Sequence, residues 1–391
     1  MIAGIEIENF TAFGSLPLSL SPRVNVIIGS NGTGKTHLLK AIYALALAGE
    51  PSADGRSNKE AAAEISNKLL RLFSPDESRI GALRANGAKA PSRLSLVGSD
   101  DSRVAISFGS RSQVVQIKVD AHGTGHELRP VFIPTKEVLS LVRGMRHPQH
   151  DRTTVEMIFD DSYIDLAEVL VRPSFEDAAS SLAEDPRLSS AIRALVSLVG
   201  GRYIWTGGSA FRFEPGRYED RADPARSKSK AAQAYQDSTI TRFVRKRGQE
   251  PLASGMTAEG FRKVGILHRL LCNGSINPGA TGVLLWDEPE ANLNPKLMKK
   301  LVQVLLELSR NGQQIVIATH DYVLLKWLDL LADKGKDDHV RFHALYRDLA
   351  TQNVAVESAD SYSLISKTAI SDTFAELFDE DMARALGSVG A

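Results

Sequence analysis

Residues 24–45, VNVIIGSNGTGKTHLLKAIYAL, constrain the chain more than any other stretch. Val24, Val26, Ile27 and Ile28 form a short, β-branched apolar run of the kind that fits a strand buried on both faces. Gly29, Ser30, Asn31, Gly32, Thr33, Gly34, Lys35 and Thr36 then complete the phosphate-binding pattern G-x-x-x-x-G-K-[ST], with His37 next in the chain. The three glycines let the backbone turn where a side chain would collide, so successive N–H groups converge on phosphate oxygens. A helix from Lys35 to about residue 48 brings its positive end to the same point. Lys35 is expected to neutralise the β- and γ-phosphates, and Thr36 to offer its hydroxyl to Mg2+. A chance glycine turn would lack the strand and helix that bracket this one. The expected ligands are therefore ATP and Mg2+.

Composition narrows the setting. The 391 residues suit one large or two modest domains, with 43% hydrophobic and 24% charged residues, as in ordinary globular proteins. Basic and acidic residues balance at 47 each, so any nucleic-acid contact has to come from a local patch. Cys272 is the single cysteine, which excludes an intrachain disulfide and a cysteine metal cluster and fits a reducing, cytoplasmic location. The opening MIAGIEIENF carries acids and no basic stretch, so no signal peptide is expected, and no run of about 18 apolar residues predicts a membrane span.

Taken in order, residues 2–10 alternate as a strand, and 16–20 alternate again after a turn at Phe13-Gly14. Residues 50–60 read as a polar loop, and 61–73 have helical spacing. Period-two runs follow at Leu94 and Leu96, at Val104, Ile106 and Phe108, and at Val115, Ile117 and Val119, then a buried strand at 131–133. A helical start is expected at 136–142. From 141 to 250 the text is mainly helix-like, clearest at 175–182 and 188–199, with a hairpin signal at 203–213. Its last part, 226–247, holds Arg226, Lys228, Lys230, Arg242, Arg245, Lys246 and Arg247 against the single acid Asp237. That run is either a DNA phosphate contact or a solvated face with a linker. His147, His150 and Asp151 cluster but match no strong metal-ligand spacing.

Residues 283–288, VLLWDE, form an apolar strand ending in two acids. Asp287 is placed to hold the Mg2+ shell. Strand alternation carries Glu288 to the other side, where it can polarise an attacking water as general base. Pro295 then opens an amphipathic helix ending near Asn311-Gly312, and 314–319 is a strand ending at His320.

GSNGTGKT, WDEPEANLNP and ATHD together resemble the RecF/SMC/OLD-like branch of ABC-type ATPases, over roughly 1–50, 130–145 and 250–350. The resemblance implies an α/β P-loop head with a mostly parallel core sheet, an antiparallel β layer and a helical insertion. It implies domains at 1–140 (Walker A and β layer), 141–250 (insertion or lid) and 251–391 (signature-like loop, Walker B, D-loop, switch histidine). DEPEANLNP matches a Walker B plus D-loop, with Asn294 where the family usually has Asp. His320 matches the switch histidine that contacts the γ-phosphate. Ala258-Glu259-Gly260, ahead of Phe261-Arg262-Lys263, resembles a degenerate signature loop; Ser254-Gly255 is the competing register. The usual serine is missing in the first register, and Arg262 or Lys263 is a candidate for compensating charge. Pro134 to Glu137 lie where the family has its Q-loop, without the glutamine. Long heptads are absent from this sequence, and no C-terminal TOPRIM nuclease is expected after His320. The implied mechanism is a head-to-tail homodimer glued by ATP and released by hydrolysis, acting on DNA or on a nuclease or toxin partner, in DNA repair or anti-phage defence. A transporter subunit, a non-catalytic ATP-binding scaffold and a self-contained nuclease are the rivals.

Overall fold

A computed structural model describes residues 1–49, 57–120, 129–147, 149–175, 185–207, 210–222, 239–367 and 369–387. The chain divides into two compact units, Met1–Phe132 with Gly282–Glu290 and Gln314–Ala391, and Ile133–Thr281 with Ala291–Gln313.

The first unit holds a six-stranded sheet in the order Val354–Ala359, Val340–Arg347, Val24–Gly29, Ile315–Thr319, Leu284–Asp287, Val131–Ile133. Val24–Gly29 is central and pairs in parallel with both neighbours, Val26 lying beside Ile317 on one side and Phe342 on the other. Every one of its six residues is buried, which explains an apolar run without alternation. Leu284–Asp287 also runs parallel to its neighbour, with Asp287 opposite Ala318, while Val354–Ala359 is an antiparallel edge.

A second sheet, antiparallel, has the order Phe13–Ser19, Ile2–Phe10, Ser92–Gly98, Arg103–Phe108, Gln116–Asp120. Helix Lys35–Ala48 supplies Leu38, Leu39, Ala41, Ile42 and Leu45 to one core that also contains Ile5, Ile7, Leu94 and Ile106 of this sheet and Ile27, Val316 and Ala318 of the parallel one. From Leu38 on the helix is apolar apart from Lys40 and buried over most of its surface, which suits that position. The first hairpin turns at Thr11-Ala12, two residues before the expected Phe13-Gly14, because Phe13 is wholly buried in this core and opens the second strand opposite Phe10. Helix Asn58–Phe73 begins ahead of the expected 61, behind a capping box in which Ser57 and Glu60 bond each other's backbone N–H.

The second unit contains helices Asp161–Leu170, Pro186–Val199, Glu259–Cys272 and Pro295–Arg310. It also contains strands within the 141–250 segment: Gly201–Trp205 and Thr239–Arg245 both pair with Phe211–Ala222. The hairpin signal at 203–213 marked the first of these pairings. Between 134 and 141 the chain makes turns, and the helix expected at 136–142 is confined to Val142–Met145. Residues 176–182 of the expected helix lie outside the described residues, as do Arg226, Lys228, Lys230 and Asp237 of the basic run. Arg242 and Arg245 lie on strand Thr239–Arg245. No helix among the described residues is long and apolar enough to cross a membrane.

Candidate nucleotide site

The phosphate-binding loop connects the central strand to the buried helix, both in the first unit. Gly34 caps the helix at φ 89° and ψ 17°, a left-handed conformation open to glycine. A Cβ there would stand 2.7 Å from Cζ of Phe13, so the position is closed sterically as well. The Thr33 hydroxyl donates to the Ser30 carbonyl at 2.8 Å and closes the loop on itself, while Ser30 and Asn31 are exposed. Lys35 folds back into the loop: Nζ donates to the carbonyls of Gly29 at 2.7 Å and Ser30 at 3.2 Å. Burial lowers the pKa of that ammonium, against the opposing pull of Glu288, Asp287 and Glu290. His37 sets its ring edge-on to Phe73, with centroids 5.3 Å apart.

Thr36 and Asp287, 251 residues apart in sequence, meet here. The Thr36 hydroxyl donates to Oδ2 of Asp287 at 2.7 Å. Hydroxyl and carboxylate oxygens are the donors that hard divalent cations take, so this pair suits Mg2+. The strand ends at Asp287, and Glu288 turns left-handed with φ 48°. Its direction is thus set by a strained turn and not by strand alternation. Such non-glycine backbone cost, of order 1–3 kcal/mol, clusters at functional sites. The Glu288 N–H donates to the Ala318 carbonyl at 2.8 Å, and His320 Nδ1 lies 3.1 Å from Glu288 Oε1. Sequence reasoning placed these two residues separately. The fold makes them a contacting pair.

Two further residues belong to this neighbourhood and were missed. Glu290 is buried and accepts from the Thr319 hydroxyl at 2.6 Å. Arg347, at the end of a neighbouring strand, donates through Nη2 to the Gly32 carbonyl at 3.3 Å. The acid in the WDEPE run was a visible signal for Glu290. Arg347 carried none, since only strand order brings it to the loop.

The remaining expected site residues lie in the second unit. Helix Glu259–Cys272 starts directly after Ala258, so Ala258-Glu259-Gly260 occupies its N-terminal turn. Ser254-Gly255 sits in a 3-10 turn ahead of it, with Ser254 buried. Gly260 packs on the backbone at Asn292: an added Cβ would be 2.4 Å from the Asn292 carbonyl oxygen. Asn294 caps helix Pro295–Arg310, its Oδ1 accepting from the Lys296 N–H at 3.0 Å. Arg262 is committed internally, with Nε 2.7 Å from Glu137 Oε1 and Nη1 on the Thr257 carbonyl, and Lys263 is buried. Neither offers a free charge at the helix N-terminus within this unit.

A loop of this geometry, between a buried parallel strand and a helix and joined to a strand-end aspartate, makes the first unit a P-loop nucleotide-binding head. Sequence comparison takes the assignment further. Residues 5–136 match a family described as "AAA domain", and residues 166–326 match "AAA domain, putative AbiEii toxin, Type IV TA system". The chain is also similar to the DNA replication and repair protein RecF of Bacillus thuringiensis (strain Al Hakam) and of Bacillus anthracis (strain CDC 684 / NRRL 3495), 49% identical over 47 residues in each case. That stretch spans 12% of this chain and 12% of each relative. The chain is thus similar to AAA domains over two separate segments and, over a short stretch, to RecF. Overlays on solved structures include an SMC head bound to the C-winged helix domain of ScpA (TM-score 0.49, 14% identity, 93% of this chain and 98% of that one) and the SMC head domain from Thermotoga maritima (TM-score 0.45, 12% identity, 92% and 98%).

Proposed function

We propose that the chain hydrolyses ATP and works as an ATP-gated, head-to-tail homodimeric clamp. The contact that carries this reading is Thr36 with Asp287, which joins the phosphate loop to the Walker B strand at one point. Thr36 and Asp287 would hold Mg2+, which supplies charge neutralisation for the transferring phosphoryl group. Lys35 would exchange its loop carbonyls for phosphate oxygens. Glu288 accepts the proton of the attacking water, and His320, in contact with Glu288, senses the terminal phosphate. Ala258, Glu259, Gly260 and Asn294 would reach the nucleotide of the partner copy.

RecF is by name a DNA replication and repair protein, and the second family description names a toxin–antitoxin setting. Both support a cytoplasmic clamp acting on DNA, through the 226–247 segment, or on a nuclease or toxin partner of the OLD-like defence type. One observation favours a slower machine. With Arg262 tied to Glu137, the degenerate signature loop gains no compensating cation, so an ATP-binding switch holding a partner is the second reading. Phosphate release separates the two. A clamp ATPase releases phosphate and loses this in Glu288→Gln by roughly a hundredfold or more, the usual contribution of a positioned base. Equal rates in both proteins would refute the catalytic assignment, and no release from the unmutated chain would leave the switch.

A further inference from the structure

Glu290 has no role in the reading above, yet its setting is unusual for an acid. It is 6% exposed, Oε1 accepts from the Thr319 hydroxyl at 2.6 Å, and Oε2 is buried without a hydrogen-bond partner. Thr319 passes the contact on, because its Oγ1 also accepts from the Asp321 N–H at 3.0 Å. Asp321 in turn caps helix Tyr322–Leu331, accepting from the Leu324 N–H at 2.7 Å. His320 lies between those two residues. The turn that carries it is therefore held at both ends by one chain of hydrogen bonds starting at Glu290. The Glu288 N–H to Ala318 carbonyl bond fastens the same two strands one step earlier.

We propose that Glu290 is a positioning residue of the nucleotide site, which through the Thr319 hydroxyl locks the His320 turn against the Walker B acids. The inference rests on the ATPase reading for its kinetic consequence, but not for its structural one. A buried carboxylate with an unsolvated oxygen is costly, whereas the neutral acid keeps a carbonyl-type acceptor for Thr319 and loses the charge. Burial pushes the Glu290 carboxyl up to about 7, with Asp321 adding to the rise and the Thr319 bond and His320 opposing it. Lys35 also faces it, since the Glu290 charge acts on that ammonium. Near neutral pH the lock thus stands between its two protonation states. Deprotonation places a charge on the buried carboxylate near the half-buried Asp321, and their repulsion, set against a stronger Thr319 bond, loosens the turn. The same group contributes stability that is full below about pH 4.5 and is lost as pH rises through about 7, because its folded pKa lies above its unfolded one.

The test uses the full chain with histidine-selective NMR and steady-state kinetics. Glu290→Gln keeps an acceptor for Thr319 and mimics the neutral acid; Glu290→Ala and Thr319→Val each break the lock. The His320 titration midpoint should shift in Glu290→Gln only by the loss of the Glu290 charge, should depart from that Gln value in Glu290→Ala, and should move from the unmutated value in Thr319→Val. The kcat should fall in Glu290→Ala and Thr319→Val by tenfold to on the order of a hundredfold, the scale of a misplaced catalytic group, with KM within about twofold. The double variant should cost no more than either single one. The alkaline decline of kcat in the unmutated chain should be absent from Glu290→Gln. A Gln variant that behaves like the Ala variant, or lock-breaking variants with unmoved His320 titration, would overturn the proposal. Should the unmutated chain release no phosphate while the His320 shifts appear as described, the ATPase reading fails and the positioning role stands.

Discussion

Replacing Gly34 by alanine isolates what the phosphate loop requires of its backbone. At φ 89° an alanine carries a left-handed cost of about 1–2 kcal/mol. Its Cβ would also sit 2.7 Å from Cζ of Phe13, a ring with no solvent exposure, adding about 1–3 kcal/mol of overpacking. Gly32 is the internal control: φ is 81°, and nothing lies within 4 Å of an added Cβ. Gly32→Ala should therefore cost only the backbone part, about 1–2 kcal/mol. Urea unfolding of nucleotide-free protein, followed by fluorescence of the buried Trp286 in the same unit, reads the difference. Gly34→Ala should exceed Gly32→Ala by about 1–3 kcal/mol, and Phe13→Leu should recover part of that excess, as coupling of order 1 kcal/mol in a double-mutant cycle. Equal costs for the two glycines, with a cycle that closes to zero, would refute the steric argument.

Two further outcomes follow from buried polar groups. Arg262→Ala leaves the Glu137 carboxylate buried without its counter-charge, so urea unfolding of the second unit, read in a Trp286→Phe, Trp327→Phe background that keeps Trp205, should shift by about 3–5 kcal/mol; a shift under about 1 kcal/mol would make the pair incidental. Burial, with Arg341 next, pushes His343 down to about 3, between Ser358 Oγ at 2.8 Å and Asn25 Oδ1 at 3.3 Å. Its folded pKa lies below the unfolded value of about 6.5, so its contribution is whole above that pH and is lost as pH falls. From pH 7 to 5 the unmutated chain should lose about 2 kcal/mol more than His343→Gln, and equal acid sensitivity in calorimetry would contradict this.

The parts of the site that could be read from sequence are those in which local chemistry and chain order coincide. Gly29 to Thr36 announced themselves because the loop's function needs those residues in that order. Asp287 and Glu288 did so because a strand must end in acids to reach a cation. Helix Pro295–Arg310 was visible from proline at its first turn and its apolar spacing. What escaped depends on neighbours supplied by folding. Glu290 reads as one more acid in a charged turn until strand Ile315–Thr319 brings Thr319 against it. Arg347 needs the parallel pairing of Val340–Arg347 with the central strand before it can touch the loop. The left-handed turn at Glu288 has no sequence mark, since glutamate rarely adopts it. Within 141–250, strand Phe211–Ala222 contains Pro215 and Gly216, residues that argue against a strand and hid its pairing with Thr239–Arg245.

The most direct test of the whole account is whether one cation is shared by the two halves of the site. Calorimetric ATP binding with and without Mg2+ should be compared in the unmutated chain, Thr36→Val, Asp287→Asn and the double variant. The account predicts that either single substitution removes the Mg2+-dependent gain in affinity and that the double variant loses nothing more. Gains that survive both single substitutions, or losses that simply add, would mean that the loop and strand Leu284–Asp287 do not meet across one ion.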